Sequence, residues 1–443
     1  GKRLFDQIML KLPVIGPLLN KLSIGRFCST LSTMLVSGVD LLEAIKICAT
    51  TSGNVIIEEF IMNARKVCVV TGSRAEYGLF YPILYKITKS DALELQLITT
   101  SSHQSVEFGL TYKQIENDGF HIDDQIDNLF SPDDKLSIVK STGTATSLLS
   151  DSFTRLQPDV VLLLGDRYET HAAATAAMLM NIPIAHIHGG EITEGAVDEQ
   201  IRHSITKMSY LHFCATETYR QRVIQMGEDP ARVFNSGAPG IDNIINLNLL
   251  TKKILEKELS WKFTSKSALF TYHPVTLEEN DIAHDLEVIL SILETFSFNI
   301  LFTYANADSG GKVINQKIEQ FCKIQPAKYK VVKSLGQIKY LSAMKYVDLL
   351  VGNTSSGIIE AASFKKPVVN IGDRQKGRLR GENVIDCNLN SLQDSIKLAL
   401  SSSFRNKIKN LNNIYGTGAA ADIILDKLIN EPISVIKKFR DQP

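Results

Sequence analysis

The stretch from His186 to Glu191 combines residue types that can exchange protons. Its sequence, HIHGGE, places His186 and His188 two residues apart, so both side chains would lie on one face of a strand. Asp198 and Glu199 follow a few residues later. Close carboxylates and imidazoles shift one another's pKa values and suit general acid–base catalysis. The same residues could instead bind zinc, or His186 could be a satisfied core histidine beside one that lines a cleft.

A second stretch, GNTSSGIIE from Gly352 to Glu360, is suited to binding phosphate. It lies between an apolar strand and a helix, where backbone N–H groups favour an anion. Thr354 and Ser355 are also ordinary helix-capping residue types. Three consecutive hydroxyl residues after Gly-Asn exceed the need of one cap, so we predict a phosphate-binding segment that includes Asn353. Glu360 could accept hydrogen bonds from ribose hydroxyls.

Charged residues and histidines follow other short apolar strands. Arg74 lies in the glycine-containing loop Gly72–Gly78 and could pair with an anion, although such loops are common. Asp166 and Arg167 could be a solvated ion pair, or they could place a carboxylate and a cation in a cleft. His273 could bind phosphate or act on a sugar, although a lone histidine is often structural.

A run of cations, RQKGRLR, begins at Arg374 and ends at Arg380. It is either a solvated loop or a group that neutralises a diphosphate. His103 is a further candidate for binding the nucleotide. The candidates thus divide into an anion-binding wall in the second half of the chain and a wall rich in carboxylates and histidines in the first half. This division suits a nucleotide sugar.

The elements that must position these residues are short apolar strands alternating with helices from Lys66 onward. This alternation predicts an α/β fold of two Rossmann-like, doubly wound domains, in which ligands bind at the carboxyl ends of parallel strands. We expect domains at residues 65–240 and 241–443, the second with a terminal helix, and a separate helical segment at residues 1–64. The predicted strands are Lys66–Thr71, Leu93–Thr99, Val160–Leu164, Ile182–Ile187, Tyr210–Ala215, Val233–Ser236, Ala268–Tyr272, Asn299–Thr303, Tyr329–Val332, Val347–Val351 and Val368–Ile371.

Composition excludes several function classes. Lys+Arg and Asp+Glu both number 48, so no long-range field attracts nucleic acid. The six cysteines form no CxxC pair, which argues against a zinc or disulfide framework and fits a cytoplasmic protein. We find no membrane-spanning run and no signal peptide. Neither a Walker lysine loop nor GxGxxG is present, so an NTPase or a nicotinamide enzyme is not expected.

Residues 66–425 closely resemble the hydrolysing UDP-N-acetylglucosamine 2-epimerases of sialic acid biosynthesis. The resemblance rests on motifs in the order TGSRAEYG, GDRYE, HIHGGE with TEGAVDE, IRHSITK, HPVT, GNTSSGIIE and GDRQKGR. It implies the glycosyltransferase-B arrangement of two facing domains, and conversion of UDP-N-acetylglucosamine and water into N-acetylmannosamine and UDP. It implies no metal and no cofactor. A homo-oligomer is left open.

Carried over to this sequence, the resemblance implies that Asp166, Asp198 and His273 are catalytic, with Arg167 and Glu199 nearby. Its binding candidates are Arg74, Thr354, Ser355, Glu360 and Arg374. Some members have a catalytic glutamate where this chain has His188, and the nearest carboxylate is Glu191. Both are therefore candidates for that acid–base role. The implied mechanism is anti elimination of UDP to a 2-acetamidoglucal, followed by hydration.

Other functions remain open at this point. The same chemistry on UDP-N,N'-diacetylbacillosamine would serve legionaminic acid, and a non-hydrolysing epimerase or a glycosyltransferase could use the same fold. Residues 1–64 resemble part of the helical F-type domain of type II secretion and type IV pilus platform proteins. Two amphipathic helices are predicted there, after an opening interrupted by Pro13, Gly16 and Pro17. An alternative function is therefore a non-catalytic assembly role for these helices.

Overall fold

The computed structural model describes residues 9, 15–37, 44, 47, 48 and 51, and then residues 64–106, 109–130, 135–194, 196–264, 266–274, 282–305 and 310–441. The chain forms two compact units, Gly1–Arg65 and Lys66–Pro443. No helix among the described residues is long and apolar enough to span a membrane.

The first unit contains helix α1, Ile15–Val36. Gly16 and Pro17 were expected to interrupt the start of the chain, but they lie in the first turn of this helix. Proline is tolerated there, because the backbone N–H that it lacks would have no partner within the helix. Of the second predicted helix, residues 44, 47 and 48 are helical, and the rest lies outside the described residues. The resemblance of this segment to a secretion platform domain stays a prediction.

The second unit contains two parallel sheets, as the alternation of strands and helices predicts. The first sheet has the order β3-β2-β1-β4-β5-β6-β7 and the second has the order β10-β9-β8-β11-β12-β13. In each sheet the order of the strands reverses at one central pair, β1 and β4 or β8 and β11, which is the Rossmann arrangement. The strands are β1 Arg65–Thr71, β2 Leu93–Thr100, β3 Asp124–Ile126, β4 Val160–Leu164, β5 Ile184–Ile187, β6 Leu211–Cys214, β7 Val233–Asn235, β8 Ser267–Thr271, β9 Asn299–Thr303, β10 Tyr329–Val332, β11 Leu349–Gly352, β12 Val368–Ile371 and β13 Val384–Cys387.

Helices cover both faces of each sheet. In β1, Val67 and Val69 pack into the core on one face, and Cys68 and Val70 pack into the core on the other. The helices are α2 Arg74–Ile87, α3 Tyr112–Asn117, α4 Lys135–Leu156, α5 Tyr168–Leu179, α6 Asp198–Met208, α7 Glu217–Gln225, α8 Pro239–Asn246, α9 Lys252–Leu259, α10 Ile282–Glu294, α11 Gly311–Ile324, α12 Gly336–Tyr346, α13 Ser355–Ile359, α14 Leu392–Leu400, α15 Ser402–Lys407 and α16 Ala420–Asn430.

The last helix, α16, packs in the first domain, although the sequence assigned it to the second. Ala421, Ile424 and Leu428 are buried in the core beside β1. The carboxylate of Asp242 accepts hydrogen bonds from the backbone N–H groups of Ala420 and Ala421, at 3.0 and 2.7 Å. This carboxylate at the N-terminus of α16 stabilises the helix in this position.

Candidate active site

The candidate residues follow the central strands of both sheets. Strands β1 and β4 are neighbours at the switch point of the first sheet, and β8 and β11 are neighbours at that of the second. Because ligands of doubly wound sheets bind outside these carboxyl ends, the loops that follow the four strands form the two walls of the site.

Asp166, which follows β4, forms an ion pair with a buried arginine. The guanidinium of Arg202, on α6, pairs with Oδ2 of Asp166 and donates to Oγ1 of Thr193 at 3.0 Å. Only 1% of the Arg202 side chain is exposed, and burial, with Arg378 nearby, lowers its pKa. Arg202 was not among the sequence candidates, although its place in the IRHSITK motif, one turn after Asp198, was a signal for it.

His188 and Glu191 form a buried hydrogen-bonded pair. The His188 Nδ1 atom lies 2.5 Å from Oε1 of Glu191. His188 has a φ of 68°, a left-handed conformation that is uncommon outside glycine and that clusters at functional sites. The turn depends on Gly190, since a Cβ there would lie 2.4 Å from the Tyr219 carbonyl oxygen. The two alternative acid–base candidates thus lie together as one pair.

The pKa of Glu191 reflects this environment. Burial raises it, but His188 and Arg378 outweigh burial, so the pKa lies below its usual value. A lowered pKa keeps the carboxylate ionised, and an ionised carboxylate orients and stabilises a partner imidazole.

Asp198 and Glu199 begin α6, and the structure gives Glu199 a supporting position. Its Oε2 accepts from the Thr193 N–H at 2.5 Å, and its Oε1 lies 3.0 Å from Nε2 of His203. Burial raises the pKa of Glu199, but these two hydrogen bonds outweigh burial, so the pKa lies below its usual value. Asp198 is half-buried at the first residue of the helix. Glu199 therefore holds the loop before the helix, beside Asp198.

His186 is a core histidine, as one of the sequence interpretations has it. Its Nε2 lies 2.7 Å from the Gly165 carbonyl oxygen and its Nδ1 lies 3.2 Å from Oγ1 of Thr206. Burial lowers its pKa to about 3. Among the described residues no group of three or more His, Cys, Asp or Glu side chains is arranged to hold a metal ion.

We predict that dialysis against a chelator leaves turnover unchanged. Both ring nitrogens of His186 already have partners, so the histidine pair of HIHGGE is not a two-ligand zinc site. The measurement is kcat before and after dialysis against EDTA, with a known zinc hydrolase dialysed in parallel as the control. Loss of activity that Zn²⁺ restores would revive the metallohydrolase interpretation.

Arg167 is paired with a glutamate beneath the loop that follows β1. Its Nε donates to Oε1 of Glu169 at 2.8 Å. Glu76 is buried beside Glu169, and burial together with this neighbouring carboxylate raises the pKa of Glu76 to about 7. Gly72 lies over the pair, since a Cβ there would be 2.3 Å from Cγ of Glu169. Glu76 forms a capping box with Ser73 at the start of α2. It was not among the sequence candidates, because a glutamate at this position is common in ordinary helix starts.

Arg74 and His103 occupy different positions around this loop. Arg74 is exposed and donates to Oγ of Ser334, in the second domain. His103 is buried, with its Nε2 3.2 Å from Oγ1 of Thr71 and its Nδ1 2.8 Å from Oγ1 of Thr111. Burial lowers the pKa of His103 to about 4. His103 therefore supports the loop from behind as a neutral ring.

In the second wall, Asn353 connects the ends of β8 and β11. Its side chain accepts from the His273 N–H at 2.7 Å and donates to the His273 carbonyl oxygen at 2.8 Å. The strands approach closely at Gly352, where a Cβ would lie 1.8 Å from the Thr271 carbonyl oxygen. Asn353, itself part of the predicted phosphate-binding segment, thereby fixes His273 beside that segment.

Thr354, Ser355 and Glu360 form this segment. The Thr354 side chain caps α13 by accepting from the Ser356 N–H at 3.4 Å, so one of its hydroxyls does have the capping role. Ser355, the first residue of α13, is half-buried. Oγ of Ser356 donates to Glu360. Burial raises the pKa of Glu360 to about 7 against the opposing effects of Ser356 and His188. Glu360 lies close to Gly240, since a Cβ there would be 2.7 Å from its Oε1.

The cation run does not act as one group. Arg374 donates to the Asn353 carbonyl oxygen at 3.3 Å, beside the phosphate-binding segment. Lys376 lies near Asp373 and Glu194 at the surface, and Arg380 pairs with Asp386. Arg378 pairs with Glu191, in the opposite wall, at 3.3 Å. Of the four cations, Arg374 therefore lies beside the predicted phosphate-binding segment, and its role in neutralising a diphosphate stays a prediction.

The two walls are in direct contact. Besides Arg378 and Glu191, the Leu379 N–H donates to the Tyr219 hydroxyl at 2.9 Å, and the Tyr415 hydroxyl donates to the Leu379 carbonyl oxygen at 2.9 Å. The candidates for acid–base chemistry and those for phosphate binding therefore lie on loops that meet at one interface between the two domains, which we call the interdomain crevice.

Comparison with known proteins agrees with this arrangement. The family model described as UDP-N-acetylglucosamine 2-epimerase matches residues 85–429. This chain belongs to the UDP-N-acetylglucosamine 2-epimerase family. The chain is 45% identical over 345 residues to the GDP/UDP-N,N'-diacetylbacillosamine 2-epimerase (hydrolyzing) of Campylobacter jejuni, covering 78% of this chain and 90% of that protein. It is 36% identical to the UDP-N,N'-diacetylbacillosamine 2-epimerase (hydrolyzing) of Legionella pneumophila, covering 81% of this chain and 94% of that protein.

Solved structures confirm the glycosyltransferase-B fold for this family member. The UDP-N-acetylglucosamine 2-epimerase of Neisseria meningitidis, bound to UDP-GlcNAc, has a TM-score of 0.72 at 20% identity and covers 83% of this chain and 100% of that one. The enzyme from Methanocaldococcus jannaschii, in complex with UDP-GlcNAc and UDP, has a TM-score of 0.66 at 17% identity, with coverage of 82% and 99%. The chain is thus an enzyme of the UDP-sugar 2-epimerase family.

Proposed function

We propose that this enzyme is a hydrolysing 2-epimerase of UDP-N,N'-diacetylbacillosamine, which releases UDP and the free sugar inverted at C2. The Legionella pneumophila relative is named for this activity, and the Campylobacter jejuni relative is named for the same sugar linked to GDP or UDP; both cover about four fifths of the chain. This choice revises the sequence-based preference for UDP-N-acetylglucosamine, which becomes the second candidate because the Neisseria meningitidis relative, 30% identical, is named for it.

One observation supports the chemistry of the proposal: the His188–Glu191 pair of the first domain is joined by Arg378 to the loop whose Arg374 contacts the Asn353 carbonyl oxygen in the second. A base removes the C2 proton while the C1–O bond to UDP breaks, giving a 2-acetamidoglucal and UDP. The C2 proton is weakly acidic, so it leaves only when the departing diphosphate is stabilised by cations and N–H groups. Water then adds its oxygen to C1, and a proton returns to C2 from the opposite face.

The roles follow from the positions. Arg374, Thr354 and Ser355 would bind the diphosphate, and Glu360 the ribose. Asp166 and the His188–Glu191 pair are the acid–base groups of the first wall, with Asp198 beside them and His273 opposite. Groups on two sides of the sugar allow the proton to leave one face and return to the other, as inversion requires.

Product analysis tests the proposal. The enzyme is incubated in ²H₂O with UDP-N,N'-diacetylbacillosamine and, separately, with UDP-N-acetylglucosamine, and UDP and free sugar are quantified. We expect faster turnover of the diacetylated substrate, stoichiometric UDP, and deuterium at C2 of the released sugar. Faster turnover of UDP-N-acetylglucosamine would favour the second candidate. An epimerised UDP-sugar without free UDP, or a requirement for an acceptor, would contradict hydrolytic epimerisation.

We predict that deleting residues 1–64 leaves kcat and KM unchanged. These residues belong to a separate compact unit, and every candidate site residue lies in the other. The measurement is steady-state kinetics of the shortened chain beside the full chain. The matched control deletes residues 420–443, which should abolish folding because α16 completes the first core. Loss of activity on deleting residues 1–64 would favour a functional role for the N-terminal helices.

A further inference from the structure

The loop Arg374–Arg380 connects the two walls of the crevice. At its start, Arg374 and Gln375 donate to the Asn353 carbonyl oxygen, at 3.3 and 2.9 Å, beside the proposed diphosphate site. At its end, Leu379 is held by hydroxyl groups of Tyr219 and Tyr415. The loop is therefore fixed at both ends, and Arg378 lies one residue before the second attachment.

Arg378 reaches the acid–base pair through Glu191. Its Nη2 lies 3.3 Å from Oε2 of Glu191, and the two side chains are 10% and 2% exposed. The other oxygen of Glu191, Oε1, contacts His188. One buried carboxylate thus bridges an imidazole of the first domain and a cation of the second.

We propose that Arg378 is a positioning residue for the epimerisation. It acts through Glu191 on His188, so the charge of this pair depends on the loop Arg374–Arg380. The inference rests on the proposed function, because it assumes that the pair transfers protons. It assigns to Arg378 a role distinct from that of Arg374: Arg374 would contact the diphosphate, and Arg378 would organise the opposite wall.

Other charged groups near the pair do not replace Arg378. Arg202 lies farther from Glu191, at 3.5 Å, and is already paired with Asp166. Glu360 lies near His188 and adds negative charge when ionised. Arg222 is a further cation near the pair, but its guanidinium donates to the Gly190 carbonyl oxygen. His186 and the Tyr219 and Tyr415 hydroxyls are neutral at physiological pH, because burial lowers the pKa of His186 and raises the pKa values of the two hydroxyls.

The direction of the effect follows from electrostatics. Arg378 is one of the groups that lower the pKa of Glu191. Removing its charge raises that pKa, because less positive charge then stabilises the carboxylate. Glu191 consequently keeps its proton to a higher pH. A nearby opposite charge shifts a carboxyl pKa by about 1–3 units, so the change should be measurable.

The test compares the pH dependence of kcat for the full-length wild-type enzyme, R378M and R378K. In R378M we expect the acidic limb of the kcat–pH profile, where activity falls as the pH is lowered, to move to higher pH by about 1 unit. We also expect kcat at pH 7 to fall about tenfold, a part of the roughly 10²–10⁴-fold that acid–base catalysis contributes. R378K keeps the positive charge, so the acidic limb of its profile should lie close to that of the wild type. K376M is the matched control: it removes an exposed cation of the same loop, which should leave the profile unchanged.

Two measurements separate the possible failures. Retained UDP affinity in R378M, measured by calorimetry, would show that the loop remains folded, and R378Q, which also removes the charge, provides the same profile test if R378M does not fold. An R378M profile that coincides with that of the wild type, or an R378K profile displaced as far as that of R378M, would overturn the inference. If the wild type turns over neither UDP-sugar, the proposed function itself fails.

Discussion

Replacing Asp166 by asparagine is expected to lower kcat by about 10²–10⁴-fold, the range that one general acid–base group contributes. Asparagine has the same shape and can still accept a hydrogen bond from Arg202, but it can neither take up nor release a proton at neutral pH. Because the side chain follows the central strand β4 and lies at the crevice, the loss should appear in kcat. The measurement is steady-state UDP release together with circular dichroism.

Asp159 offers a matched control at the opposite end of the same strand. Its Oδ2 accepts from the Lys66 N–H at 2.8 Å, which an asparagine oxygen can also do. We expect D159N to keep wild-type turnover, since it lies at the amino end of β4, away from the crevice. Wild-type rates in a folded D166N enzyme would remove Asp166 from the catalytic set.

Replacing Arg202 by methionine is expected to reduce the free energy of unfolding by about 3–5 kcal/mol, the usual effect of breaking a buried ion pair from one side. Methionine fills similar space but leaves two carboxylates, Asp166 and Glu191, without this cation. Urea unfolding of the wild type and R202M gives the difference. Turnover should also fall, because the same side chain positions Asp166.

The control for R202M is R155M, which breaks another arginine–aspartate pair. Arg155 contacts Asp124 at 2.6 Å, but its side chain is 56% exposed. Exposed pairs contribute about 0–1 kcal/mol, so this variant should remain close to the wild type. Equal destabilisation by the two substitutions would contradict the stabilising role that we assign to Arg202.

The sequence predicted the interior of both sheets but missed one edge strand in each. Strands β3 and β13 lie at the sheet edges and contain polar residues such as Gln125 and Asp386. They lack the continuous apolar run that identifies a strand covered on both faces. Each of them forms by pairing with a neighbouring strand, β2 or β12, so the composition of the segment itself carries little information about it.

The candidate site shows a similar division. Residues inside one motif, such as His188 and Glu191, could be predicted together because the chain itself keeps them close. The partnership of Glu191 with Arg378 joins residues far apart in the sequence, and it depends on how the two domains face each other. Sequence reasoning consequently grouped Arg378 with Arg374 by proximity in the chain, whereas the fold directs them to different walls.

The return of α16 to the first domain affects how this protein can be synthesised. The apolar core around β1 includes residues that the ribosome makes only after the strands of the second sheet. The first Rossmann-like domain therefore cannot complete its core before the second domain has been synthesised, whereas an N-terminal domain usually folds first. Until α16 emerges, that surface remains open to chaperones or to other nascent chains.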